Sequence, residues 1–364
     1  MKFTISKLAF LDGLKKVASV VSTKATLPIL SNVKIEAAND QLRFMATDLD
    51  VCITGSVPAN ILRPGEITLP AKKLVSIISE LPDAEVQVEV NDNHQASVHC
   101  GRSHFKLNGL PADEFPTCPS FDDAIVYQVE QNTLRDCIRR TEYAISTDTT
   151  RYVLNGISMA FRQGKVTLVA TDGRRLALAE SVLDTPAEQE LDAILPTKAV
   201  AELRRLLEEV GNVTIRFTRN QVAFEIKETL LISKLIDGNY PNYRQVIPND
   251  CRESTELPCG ELLETVRRVS LLSDKSTTIT LNFRENELEL VSSAEIGEAR
   301  ESMAINYTGT PLSISFNPDF FMAPLKTMSA DTIITLNLID EMSPGVLKIG
   351  EEFLYVLMPM RNPN

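Results

Sequence analysis

Tryptophan is missing altogether, and aromatic residues make up only 6% of the 364 residues. With hydrophobic residues at 43%, the cores are expected to be aliphatic. Histidine occurs three times, at His94, His99 and His104. That spacing shares no helix face and alternates sides in a hairpin. It offers no metal site and no base for a Ser-His-Asp or Cys-His arrangement. None of the cysteines (Cys52, Cys100, Cys118, Cys137, Cys251, Cys259) forms a Cys-x-x-Cys pair. Scattered in this way they read as reduced, buried thiols of a cytosolic, cytoplasmic protein. A glycine-rich phosphate loop is absent. No apolar run is long enough to span a bilayer, and Lys7, Asp12, Lys15 and Lys16 interrupt any signal-peptide core. Asp48-Leu49-Asp50 has the form of a metal-binding pair, but its counterpart Asp172-Gly173-Arg174 lacks the second carboxylate, so a turn is the better reading. No catalytic residue, cofactor or metal site is expected.

What the chain does have is a threefold repeat. Leu8, Leu11, Leu14 and Val17 follow helical spacing, and Leu42 to Ala46 form a strand-like run that ends in Thr47-Asp48. The same order recurs with Leu134, Ile138, Val166 to Val169 and Thr171-Asp172, 124 residues further on. A weaker third copy has Leu262, Leu263, Val266 and Val269, then Leu288 to Ser293. Each copy has a second half. Thr68-Leu69-Pro70-Ala71, Ile194-Leu195-Pro196-Thr197 and Ser315-Phe316-Asn317-Pro318 each run from a strand into a helix, where proline suits the first turn. Further alternating strands follow each of them. The period is too long for a solenoid array. It predicts three α+β domains, 1–120, 121–250 and 251–364, each with two helices on antiparallel strands. The helices are expected near 6–21, 71–81, 132–146, 197–210, 260–275 and 317–328.

The formal net charge is -12, which argues against a general nucleic-acid binder. The charge is unevenly placed, however. The six expected helices hold 15 Lys or Arg against 11 Asp or Glu, whereas the whole chain holds 37 against 49. A helical surface facing a polyanion, with an acidic outside, would hold DNA through phosphates alone.

Two stretches lack a purely structural reason. Thr171-Asp172-Gly173 is a good turn, but two adjacent arginines, Arg174 and Arg175, leave it before Leu176 resumes an apolar run. Tyr355-Val356-Leu357-Met358-Pro359-Met360-Arg361 is apolar where chain ends are ordinarily polar, and its proline interrupts strand pairing.

Together with Thr26-Leu27-Pro28-Ile29-Leu30, Arg151 to Gly156, Asp237 to Tyr243 and Ser315-Phe316-Asn317, these stretches make the chain resemble the bacterial DNA polymerase III beta subunit family, the sliding clamps, over its whole length. The resemblance implies a head-to-tail dimeric ring of DNA-clamp domains, with helices around the hole. As a non-enzymatic processivity factor it would encircle double-stranded DNA without reading it. It would tether the replicative polymerase alpha subunit, the clamp loader, other polymerases and repair proteins through short peptides, with no membrane partner. By matching position, the peptide cleft would comprise Leu154, Thr171, Gly173, Arg174, Arg175, Leu176, Pro241, Val246, Asn317, Phe320, Met342, Pro344, Met358, Pro359, Met360 and Arg361. Arg174 stands where His is common in the family, Gln245 where Arg can occur and Phe320 where Tyr can occur. Lys24, Arg151 and Tyr152 would face DNA, joined by Lys72, Arg135, Arg139, Lys198 and Arg205 from the charge on the helices. Phe105 and Leu107 would meet Leu271 and Leu272 of a second copy at the dimer contact.

Overall fold

The computed structural model describes residues 1–21, 27–119, 121, 124–183, 190–248, 250–272 and 278–361. Six α-helices occur among them: α1 (Lys7–Ala18), α2 (Ala71–Glu80), α3 (Gln131–Thr141), α4 (Thr197–Leu206), α5 (Cys259–Val269) and α6 (Pro318–Leu325). Each coincides with an expected helix but is shorter. At the end of α3 the Thr141 hydroxyl donates back to the carbonyls of Cys137 and Ile138 (2.8 and 3.3 Å). There the helix gives way to a 3-10 turn, Glu142–Ala144.

The chain divides into two compact units. The first comprises Met1–Asn132 and Lys198–Leu235, the second Thr133–Thr197 and Ile236–Asn364. An eight-stranded antiparallel sheet runs through the first unit, in the order Ile125–Glu130, Asn212–Phe217, Gln221–Ile226, Thr229–Lys234, Val51–Pro58, Gln41–Thr47, Asn32–Ala38, Gly65–Pro70. Strands of two successive repeats meet in it where Leu230 pairs with Thr54 and Ile232 with Cys52. The second unit repeats the plan in the order Leu191–Pro196, Gly156–Arg162, Lys165–Thr171, Arg175–Val182, Phe353–Leu357, Gly345–Ile349, Ile333–Leu338, Glu253–Pro258. Here Leu176 pairs with Val356.

Each unit also holds a smaller sheet. The first has Asn60–Arg63, Lys2–Ser6, Glu85–Val90, Gln95–Cys100 and Ser103–Asn108 in that order. The second has Gly297–Ala304, Glu287–Ala294, Ile279–Arg284 and Leu312–Phe316. Ser103–Asn108 and Gly297–Ala304 are thus edge strands.

Helix α1 shows how sequence becomes packing. The Ser6 hydroxyl caps it by accepting from the Ala9 amide (3.3 Å). Phe10, Gly13, Leu14 and Val17 form its buried stripe. A Cβ on Gly13 would lie 2.9 Å from Cδ2 of Phe44, so glycine lets the helix settle on that ring.

Two expectations need correcting. The cores are not simply aliphatic, since Phe3, Phe10, Phe44, Phe161, Phe217, Phe224, Phe283, Phe316, Phe321 and Phe353 are all fully buried. A low aromatic total does not say where the aromatics go. The cysteines are not all buried free thiols either. Cys52 and Cys118 are joined as a disulfide across 66 residues of sequence, and Cys251 is exposed. Cys100, Cys137 and Cys259 are buried and free, and burial pushes the Cys137 thiol up to about 12.

Candidate functional site

Thr171 to Arg175 form a self-satisfied turn. The Thr171 hydroxyl donates to the Arg175 carbonyl (2.6 Å) and accepts from the Gly173 amide (3.1 Å). Asp172 Oδ1 accepts from the amides of Arg174 and Arg175 (2.9 and 3.1 Å). Gly173 has φ +84°, a conformation that strains any side chain. Arg151 lies against it and is itself held by Asp148 (3.0 Å).

The turn aims its arginines differently. Arg174 stays exposed. The Arg175 side chain is only 14% exposed. Its guanidinium sits 4.2 Å from the centre of the Phe320 ring and 5.8 Å from that of Tyr143, while Nε donates to Asp172 Oδ2 (3.0 Å). Phe320 is placed by its own helix end, where Asn317 caps α6 by accepting from the Phe320 amide (3.0 Å). The Tyr355 hydroxyl donates to the Phe320 carbonyl (2.8 Å). Burial drives the Tyr355 and Tyr143 phenols up, Tyr143 well above its usual range.

The C-terminal stretch closes one side. Beyond Leu357 the Met358 amide donates to the Arg174 carbonyl (2.9 Å), and the Met360 amide to the Ser315 carbonyl (2.8 Å). Met358 is 46% exposed and Met360 37%, with Arg361 exposed beside them. Beneath lies an apolar cluster of Val169, Leu176, Val346 and Val356, with Tyr240, Tyr243 and Ile247 packed on it. The Tyr240 hydroxyl accepts from the Thr171 amide (3.1 Å).

Thus Thr171, Gly173, Arg174, Arg175, Leu176, Asn317, Phe320, Met358 and Met360 form one connected group. Val246 and Pro241 are exposed on and beside the 3-10 turn Tyr243–Val246, next to Tyr243 and Ile247 of that cluster. Met342 is exposed on a turn whose Asp340 accepts from its amide (2.9 Å). Pro344 precedes Gly345, which pairs with Leu357, and so neighbours the tail containing Pro359. Leu154 is buried at the end of the 3-10 turn Thr149–Leu154. Sequence reasoning missed Tyr143, Tyr240 and Tyr355 as supports. The clue was there for Tyr240 in the Asp237–Tyr243 stretch, but nothing local marked Tyr143.

The matches to known proteins follow the repeats. The DNA polymerase III beta subunit N-terminal domain matches residues 1–119, its central domain residues 128–242 and its C-terminal domain residues 244–361. The chain belongs to the DNA polymerase III beta subunit family. Among its relatives, the beta sliding clamp of Chlamydia muridarum is 35% identical over 363 residues, 99% of each chain. The Bacillus subtilis clamp is 32% identical over 377 residues, covering 99% of this chain and all of that one. The crystal structure of the Bacillus subtilis sliding clamp superposes with TM-score 0.95, covering 100% of this chain and 99% of that one. The Pseudomonas aeruginosa clamp, solved with griselimycin bound, superposes at 0.94 with 33% identity and full coverage of both chains. Members of this family are processivity clamps, not enzymes.

The other site residues fall into two groups. Lys72, Arg139, Arg151 and Tyr152 are exposed, Arg139 beside Asp136 (3.2 Å). Arg135 is half-buried on α3. Lys198 contacts Asp48 and donates to the Val20 carbonyl (2.8 Å). Arg205 donates to the Lys16 carbonyl, Ser19 and Glu202 (2.6, 2.6 and 2.9 Å). Both therefore spend donors within the first unit. Lys24 lies outside the described residues. Phe105, 39% exposed, and half-buried Leu107 lie on the edge strand Ser103–Asn108. Leu271, 77% exposed, and Leu272 lie on the 3-10 turn Ser270–Leu272. The edge strand Gly297–Ala304 beside that turn was not foreseen. No helix among the described residues is long and apolar enough to cross a membrane.

Proposed function

We propose that two copies of this chain close head to tail into a ring around duplex DNA and hold the replicative polymerase and other partners by short peptides. The observation that carries the reading is the count of sheet edges. Successive repeats are already joined twice within the chain, through Val51–Pro58 with Thr229–Lys234 and through Arg175–Val182 with Phe353–Leu357. Among the described residues, the strands at the equivalent places in the first and third repeats, Ser103–Asn108 and Gly297–Ala304, stand unpaired at sheet edges. An unpaired edge is a template for another chain, and two copies satisfy both pairs of edges in a closed, symmetric way. Phe105 and Leu107 then meet Leu271 and Leu272, and the three domains 1–120, 121–250 and 251–364 of each copy make a six-domain ring.

Lys72, Arg135, Arg139, Arg151, Tyr152, Lys198 and Arg205 face the DNA. Partner peptides enter the cleft at Thr171 to Leu176, Met358 to Arg361, Phe320, Val246 and Met342, with an apolar residue over the Leu176 floor. The ring raises the polymerase's effective concentration at its template. Its place is the cytoplasm, where the chromosome of a bacterium is copied.

Topology supplies the test. After loading on closed circular DNA, the protein should survive a salt wash that strips phosphate-only binders, then leave when the circle is cut. Equal loss from intact and linear DNA would overturn encirclement.

A further inference from the structure

The cleft at Thr171 to Arg175 has a twin in the first unit. The Thr47 hydroxyl donates to the Val51 carbonyl (2.9 Å) and accepts from the Leu49 amide (3.0 Å), as Thr171 does with Arg175 and Gly173. Asp48 Oδ1 accepts from the Asp50 amide (3.1 Å), as Asp172 does from Arg174. The Lys234 amide donates to the Asp50 carbonyl (2.9 Å), as that of Met358 does to Arg174. Beneath the turn, Cys52, Ala223 and Ile232 take the places of Leu176, Val346 and Val356. A cavity of about 350 Å³ opens there, with Leu49, Asp50, Val51, Cys52, Ile232 and Lys234 on one side and the segment Pro116–Pro119, tied to Cys52 through Cys118, on the other.

We propose that this cavity is a second peptide groove, for an extended partner segment that sets an aliphatic anchor beside a lysine or arginine. The proposal rests on reading its twin as a peptide cleft. The anchor follows from the floor of Val51, Cys52 and Ile232. It follows also from Leu49, which is 48% exposed although its backbone, at φ +79°, is where the twin has Gly173. A leucine held in glycine's conformation costs stability, and such strain collects at binding sites. The charge preference follows from the rim, where Asp50 replaces Arg174 and Val51 replaces Arg175. The Asp50 side chain is 74% exposed and its pair with Lys234, at 3.0 Å, is exposed on both sides. Such a pair contributes little in water, so a cation from a partner can displace Lys234.

Fluorescence polarisation on the full-length protein at physiological salt tests this with two labelled hexapeptides, one alternating leucine and lysine, the other leucine and glutamate. The leucine–lysine peptide should bind about tenfold more tightly than the other, and Asp50→Lys and Leu49→Gly should each weaken it about tenfold. Leu49→Gly suits the turn, so loss of folding will not confuse the result. Arg175→Ala should leave this binding unchanged. No binding, or binding that ignores Leu49→Gly, overturns the proposal; the latter is non-specific attraction to an acidic chain. Loss with Arg175→Ala places the peptide in the twin instead and also overturns it. A polymerase-tail peptide titrated in parallel reports on the twin alone. Its loss on Arg175→Ala, but not on Leu49→Gly, upholds that cleft even if the groove fails.

Discussion

The guanidinium of Arg175 lies 4.2 Å above the ring of Phe320, so the cation at the proposed cleft is fixed by an aromatic from another element. A guanidinium stacks flat on such a face where an ammonium does not. Arg175→Ala should weaken binding of a labelled polymerase-tail peptide by about 2 kcal/mol, roughly 30-fold. Arg175→Lys should recover little of it. Titrations that rank the lysine variant with the native chain would refute the stacking role.

The two turns of like geometry make opposite predictions. Gly173→Ala puts a Cβ on a residue at φ +84°, 2.8 Å from Arg151 Nη1, and should cost about 1–2 kcal/mol. Leu49→Gly, at φ +79°, releases strain and should leave stability level or raise it by up to about 1 kcal/mol. Urea midpoints measure both.

At the proposed subunit contact, Leu271 is 77% exposed, so truncating it removes little from the chain's own core. Leu271→Ala with Leu272→Ala should weaken the dimer by about 2 kcal/mol or more. Analytical ultracentrifugation should show monomer at concentrations where the native protein is dimeric, with the melting of the monomer nearly unchanged. An intact dimer would contradict the contact.

Alkali should act through the buried phenols. Tyr143, Tyr240 and Tyr355 all have raised pKa values because burial disfavours tyrosinate. Their folded pKa values exceed the unfolded value of about 10, so the unfolded chain releases protons first. The stability they contribute is complete below that pH and declines as pH rises towards the folded values. Tyrosinate absorbance from these residues should therefore appear together with loss of tertiary circular dichroism. Ionisation that precedes unfolding would refute their burial.

Much of this was legible in the sequence. Helical spacing marked three of the helices and a proline at a strand-to-helix junction the other three, while Thr47-Asp48 with Thr171-Asp172 marked the turns, because local periodicity and turn chemistry suffice for these. Pairing between repeats was not legible. Nothing near Thr54 announces Leu230 as its partner. The strand Gly297–Ala304 escaped because an edge strand buries little, and only Met303 is buried in it. The arginine turn and the methionine-rich stretch stood out in the sequence, and the structure sets them side by side, the Met358 amide on the Arg174 carbonyl. The phenols that set Arg175 and Phe320 in place were missed, since the side chains they support lie far away in sequence.

The ladder between Val51–Pro58 and Thr229–Lys234 also sets a timetable for synthesis. Thr54 must wait for Leu230 before that edge is covered. At bacterial translation speeds that interval is on the order of 10–30 seconds. Throughout it, the nascent first repeat carries an open strand on the ribosome, and Leu176 waits as long for Val356 in the second repeat, so a chaperone that shields strand edges has two such opportunities.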